Sequence, residues 1–187
     1  MKIVRRNQAS PKIAVTFLGI FTVALVSGCN SGKSAPTPAN FTQAINSHFL
    51  DHTDCLFSDT RFPFETSDPV KTKQMDSLVK ALLLERFVEA SIHVSRYTVT
   101  PAGARFAPHF CYGHRDVTSI DSFTPIVVTD GFKETTVTYS YTMKEIPVWA
   151  LGHDIQAAFP EMARATSSQV TAKATLAQTP VGWQIPD

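Results

Sequence analysis

The spacing of hydrophobic residues along this chain changes several times, and each change marks an element. The first feature is an uncharged run of 14 residues from Ile13 to Val26 (IAVTFLGIFTVALV). It is short for a membrane-spanning helix, which needs about 20 apolar residues. Phe41, Ala44, Ile45, His48 and Phe49 then recur at the spacing of one helix face, with Asn40 placed to cap it. Asp51 to Pro69 is rich in turn formers yet carries Leu56, Phe57, Phe62 and Phe64, so part of it should pack on the core. Met75, Leu78, Val79, Leu82 and Leu83 predict a second helix over Lys71 to Leu84.

From Phe87 to Thr100 the residues become β-branched, predicting a strand or short hairpin with its turn near Ser95-Arg96. Thr100-Pro101-Ala102-Gly103 offers a cap with proline at the first helical position. A strand-like run from Val117 to Val128 is interrupted at Pro125, and Asp130-Gly131 favours a hairpin turn. Thr135 to Lys144 alternates cleanly. Val137, Tyr139, Tyr141 and Met143 point one way, and Thr136, Thr138, Ser140, Thr142 and Lys144 the other. A short helix over His153 to Ala165, broken at Pro160, precedes a strand from Val170 to Leu176 and a last strand at Trp183 to Ile185. The expected fold is a single α+β domain over 41–187, with two N-terminal helices followed by a mostly antiparallel sheet.

The flanks of the first apolar run change its meaning. Met1 to Lys12 carries Lys2, Arg5, Arg6 and Lys12 and no acidic residue, the basic region of a secretory signal peptide. An uncleaved N-terminal anchor is the alternative. Leu25-Val26-Ser27-Gly28-Cys29 resembles the lipobox of bacterial envelope lipoproteins, and the layout is similar to their many small uncharacterised members. The resemblance implies that residues 1–28 are a cleaved signal peptide and that Cys29 is acylated, with palmitate-like chains. It also implies a lipid bilayer as the first partner, each buried methylene contributing about 0.8 kcal/mol. Asn30 after the cysteine implies the outer membrane, with the domain in the periplasm and inner-membrane anchoring as the alternative. Residues 29–40 then read as the lipidated cysteine and a flexible tether.

Removing the leader leaves 159 residues with 13 basic and 16 acidic side chains, a net charge of −3. Such a domain has no electrostatic footprint for nucleic acid. This bears on a second resemblance. LVKALLLERF (Leu78 to Phe87) followed by RYTVTPAGARF (Arg96 to Phe106) resembles the helix–wing stretch of winged-helix proteins, with Leu83 standing where that family has a helix-ending glycine. It implies a winged-helix-like element over 78–106, without DNA binding in an exported acidic protein.

With Cys29 assigned to lipid, Cys55 and Cys111 remain, most simply as one disulfide in an oxidising compartment. Two other uses compete. His48, His52 and Cys55 with His109, Cys111 and His114 could be drawn into a zinc site. Cys111 with His109 or His114 could act as a thiolate–base pair. Glu85, Glu89 and Asp116 read as solvated faces, and no G-x-S-x-G elbow or phosphate loop is present. Tyr139, Tyr141, Trp149 and Trp183 read as sheet-face packing or as a ligand groove. The sequence therefore points to no catalytic set, metal or cofactor. It leaves enzymatic activity open while favouring a non-catalytic binding or assembly module with an envelope protein partner. The alternative is a Cys–His hydrolase acting on cell-wall material.

Overall fold

The computed structural model describes residues 32–91 and 93–186. The leader, the lipobox and Cys29 lie outside the described residues. Among those described, no helix is long and apolar enough to cross a membrane.

The expected succession of two helices and then a sheet is corrected: helices and strands are interspersed, and the strands form two sheets. Helix α1 (Pro38–Asp51) is followed by the short strands β1 (Asp54–Cys55) and β2 (Phe64–Thr66) before helix α2 (Pro69–Lys80). Strands β3 (Leu84–Glu89) and β4 (Val94–Val99) form a hairpin that pairs with β2 in the order β2-β4-β3, all antiparallel. The larger sheet runs β1-β5-β7-β8-β9, from β5 (Cys111–Phe123), β7 (Phe132–Lys144), β8 (Val170–Thr179) and β9 (Gly182–Gln184), with β6 (Val127–Thr129) pairing β7. Between β7 and β8 lie a 3-10 turn (Val148–Leu151) and helices α3 (His153–Ala158) and α4 (Pro160–Ala165), the latter pair divided at Pro160 as expected. The physical reason for the correction is local. Residues 51–69 carry aromatics and β-formers that pair with distant strands, which no helical period reveals.

Helix α1 starts at Pro38, inside the segment expected as tether. Thr37 rather than Asn40 is the N-cap: its Oγ1 accepts from the Asn40 N–H at 3.3 Å, and Pro38 opens the helix where no N–H is needed. Asn40 turns back instead, its Nδ2 donating to the Gly32 and Ala35 carbonyls. The helix lays Phe41, Ala44 and Ile45 on the inward face of the large sheet. Along β7 that face is Thr135, Val137, Tyr139, Tyr141 and Met143, the alternation read from sequence. Past its first residues β5 has no strand on its outer edge among the described residues, and α1 covers it. The Val117 N–H donates to Asn46 Oδ1 at 2.9 Å, satisfying a backbone group the sheet leaves open.

Helix α2 is capped by Asp68, whose Oδ1 accepts from the Lys71 N–H at 2.7 Å. It ends four residues earlier than the apolar spacing suggested. Leu82 takes a left-handed backbone (φ 60°), and the Leu83 and Leu82 N–H groups donate back to the Leu78 and Val79 carbonyls. This is a Schellman ending, with leucine where glycine is usual. Leu84 is thereby delivered into β3, and the hairpin reverses between Glu89 and Val94 rather than at Ser95-Arg96. A side chain at Gly103 would run into the Leu83 carbonyl, so glycine allows the 101–110 segment to press against the end of α2. That segment carries the chain into β5, and the small sheet therefore sits at the Cys111–Lys144 end of the large one.

Candidate functional site

The two sheets meet over an aromatic cluster contributed largely by the turn-rich segments. Phe57, Phe62 and Phe110 form edge-to-face pairs with centroids 5.7–6.3 Å apart, and Phe57 also meets Phe159. Trp149 stands edge-on to Phe106 and Phe110, and its indole Nε1 is a buried donor with no acceptor among the described residues. Beside this cluster opens a cleft of about 410 Å³ lined by Leu56, Phe57, Met75, Tyr112, Phe159 and Met162. Lys71 and Glu161 also line it.

Cys55, one half of the disulfide, lines the cleft. Cys55 and Cys111 are bonded, with S–S 2.00 Å and Cα–Cα 3.7 Å, directly opposite each other in the β1–β5 pairing. The bond ties the helical start of the chain to the large sheet, and it leaves neither sulfur as a thiolate or a metal ligand. The histidines proposed around them hold separate partners. His52 Nδ1 lies 3.0 Å from the His48 carbonyl with the two rings stacked at 4.3 Å. His109 Nδ1 lies 3.0 Å from the Phe57 carbonyl, and His114 Nδ1 is 3.7 Å from Glu145. Among the described residues no group of three or more histidine, cysteine, aspartate or glutamate side chains is arranged to hold a metal ion.

The strongest polar cluster was not singled out in the sequence. Arg115 donates from Nε and Nη2 to both carboxylate oxygens of Asp54, at 2.9 and 2.8 Å, and from Nη1 to the Tyr139 hydroxyl at 3.3 Å. Its guanidinium also lies over the Phe49 and Tyr141 rings, 4.4 and 5.1 Å from their centroids. Burial works against its charge, but the hydrogen bonds to Asp54 and Tyr139 and the Asp54 charge outweigh it, and the pKa rises. Tyr112 nearby is pushed up to about 12, by burial first and then by the Asp54 charge. A fork-on-fork pair this close to the disulfide holds β1 in register with β5. Its chemistry is structural. An Asp and an Arg 61 residues apart leave no mark that sequence reading detects.

Of the four aromatics weighed as a groove, Tyr139, Tyr141 and Trp183 are buried in the core. Trp183 Nε1 donates to the Ser34 and Ala35 carbonyls, each at 3.2 Å. Glu85 and Glu89 are exposed on β3, while Asp116 accepts from Asn46 Nδ2 and faces Lys144 at 3.7 Å.

Two exposed apolar regions lie at opposite ends of the large sheet. At the small-sheet end, Leu82 is 73% exposed and Phe87 58%, both lining one shallow depression with Glu85 and Thr100. Strand β3, six residues long, is also an edge with no further strand beside it among the described residues. At the other end, the β6–β7 hairpin exposes Val127, Val128 and Phe132.

These features define a two-sheet α+β domain with a cleft lined in part by Cys55 and apolar ends. Compared with known proteins, the chain matches no family model, no curated protein and no solved structure.

Proposed function

We propose that this protein is an envelope lipoprotein held to the outer membrane through acylated Cys29, and that its domain is a non-catalytic binding module. It takes an extended segment of a protein partner along the open β3 edge, beside Leu82 and Phe87. The observation that carries the reading is Leu82. A leucine in left-handed backbone is strained where glycine would cost little, and it is held out to solvent, where it contributes nothing to the core. Strain and exposure together are explained by a surface kept for a partner. Phe87 extends that surface, and the free N–H and C=O groups of β3 supply the hydrogen bonds of strand addition. The hydrolase alternative requires a Cys111 thiolate, which the disulfide does not leave.

The test is site-specific photo-crosslinking in the intact envelope from a reactive residue placed at Phe87, with the same residue at Thr136 as the control. The expected result is a protein adduct of one size at Phe87, absent at Thr136. Leu82→Gly should abolish it while leaving the fold as stable or up to about 1 kcal/mol more so. Adducts to lipid alone, or an adduct that survives Leu82→Gly, would overturn the reading.

A further inference from the structure

We infer that the β6–β7 hairpin tip touches the bilayer and orients the domain on it. The inference rests on the lipid anchor at Cys29 proposed above, and it begins with where the described chain starts. The Ser34 carbonyl accepts from Gln178 Nε2 at 2.8 Å and from Trp183 Nε1 at 3.2 Å, and the Ala35 carbonyl accepts from Trp183 and Asn40. The chain is therefore bound to the domain from Ser34 onward. Ser34 is five positions on from Cys29, and an extended chain covers at most about 18 Å over them. Wherever the acyl chains enter the bilayer, Ser34 stands within that distance.

The register shows which end of the sheet this is. Gln178 lies one residue beyond the Glu134↔Ala177 pair, toward the tip formed by Asp130-Gly131. The Phe41 ring meets both Trp183 and Phe123 edge-on, at 5.3 and 5.1 Å, so the start of α1 and the far end of β5 belong to the same end. There Val127, Val128 and Phe132 are 55%, 71% and 55% exposed, and Val181 in the β8–β9 turn is 64% exposed.

The distribution of these side chains selects the occupant. Val128 pairs with Lys133 and so lies on the α1 side of the sheet, whereas Val127 and Phe132 lie on the other. A protein partner would cover one face. A tip apolar on both faces suits a medium that surrounds it, and the bilayer is the apolar medium within reach. Asp130 at the turn and Lys133 beside it place the tip at headgroup depth rather than in the hydrocarbon core.

The test uses the full acylated chain reconstituted in vesicles of phosphatidylethanolamine and phosphatidylglycerol, with a photo-crosslinking residue at Val128 or Phe132, and at Phe87 for comparison. An intact Cys55–Cys111 disulfide on a non-reducing gel and native circular dichroism verify the fold of each variant. The expected result is lipid adducts at Val128 and Phe132 and their loss at Phe87. Membrane recovery that depends on Cys29, shown by its loss in Cys29→Ser, without lipid adducts at the tip would overturn the inference and leave the anchor standing. Adducts from the tip to a second protein chain would overturn it in favour of a protein occupant. Membrane recovery unchanged by Cys29→Ser would overturn the anchor reading, and this one with it.

Discussion

All four tyrosines of the chain should ionise at higher pH in the folded protein than in the unfolded chain. Tyr97, Tyr112, Tyr139 and Tyr141 all sit in the core, and burial is the first cause lifting each above the ordinary 10.0. For Tyr97, donation to Asp76 Oδ1 at 2.9 Å adds to it. Arg115 pulls Tyr139 and Tyr141 back down without cancelling the effect of burial. Tyr112 reaches about 12. An unfolded tyrosine releases its proton near pH 10, while the folded one keeps it. Between the two values the unfolded state binds fewer protons, and stability falls as pH rises. Below pH 10 the four contribute their full stability. A proton difference of one is worth about 1.4 kcal/mol per pH unit, so Tyr112 alone removes on the order of 2–3 kcal/mol by its folded pKa. That is a large share of a typical stability of about 5–15 kcal/mol. The assay follows phenolate absorbance and near-ultraviolet circular dichroism together during an alkaline titration. We expect less phenolate at pH 10 than four unfolded tyrosines would give, and a further rise at higher pH that coincides with loss of tertiary signal. A tyrosine that titrates midway at pH 10 in a protein with intact tertiary signal would refute the reasoning.

Two other perturbations test the same junction. Cys55→Ser opens a loop with a sequence separation of 56 residues, which costs about 4 kcal/mol in the chain-entropy account. Urea denaturation should show both sheets weakened together, and a change near zero would contradict the link. Arg115→Met strands the Asp54 carboxylate, whose side chain is only 14% exposed, and should cost about 2–4 kcal/mol. Adding Asp54→Asn should recover part of that loss in a double-mutant cycle, and Tyr139 and Tyr141 should titrate higher still, because the cation that lowers them is gone.

The parts of the fold that were legible in the sequence are those whose signal is local. The β7 alternation, the Asp130-Gly131 turn, the break at Pro160 and the pairing of two cysteines each need only a short window or a count. The parts that were not legible depend on residues far apart. Leu82 and Leu83 keep helical spacing after Lys80, so periodicity alone extends α2 until the left-handed Leu82 ends it. Strands β1 and β2 are two and three residues long and exist only because β5 and β4 pair with them. Asp54 and Arg115 meet across that same pairing. The exposed Leu82 looked like one more core leucine, because spacing reports which residues share a face and not which face is covered.

The two apolar ends acquire their meaning from what lies between them. Strands β5 and β7 are 13 residues each and pair antiparallel from His114↔Lys144 to Phe123↔Val137, with irregularities between Val117 and Ser119 and between Ile120 and Ser122. Helix α1 lies along the ladder, and the disulfide with the Arg115–Asp54 pair fastens the far end. A flexible tether would let the domain turn freely at the membrane, and the position of a partner surface would then be undefined. Here the chain is held from Ser34 by Trp183 and Gln178, so the anchor proposed at Cys29 would be joined to a strut through only a few residues. On the proposed reading, a tip resting at the bilayer fixes which way the strut points and turns the Leu82–Phe87 edge away from the lipid. Either surface alone would be an exposed hydrophobic liability. On the proposed reading, the ladder joins them so that one end rests at the membrane and the other faces a partner.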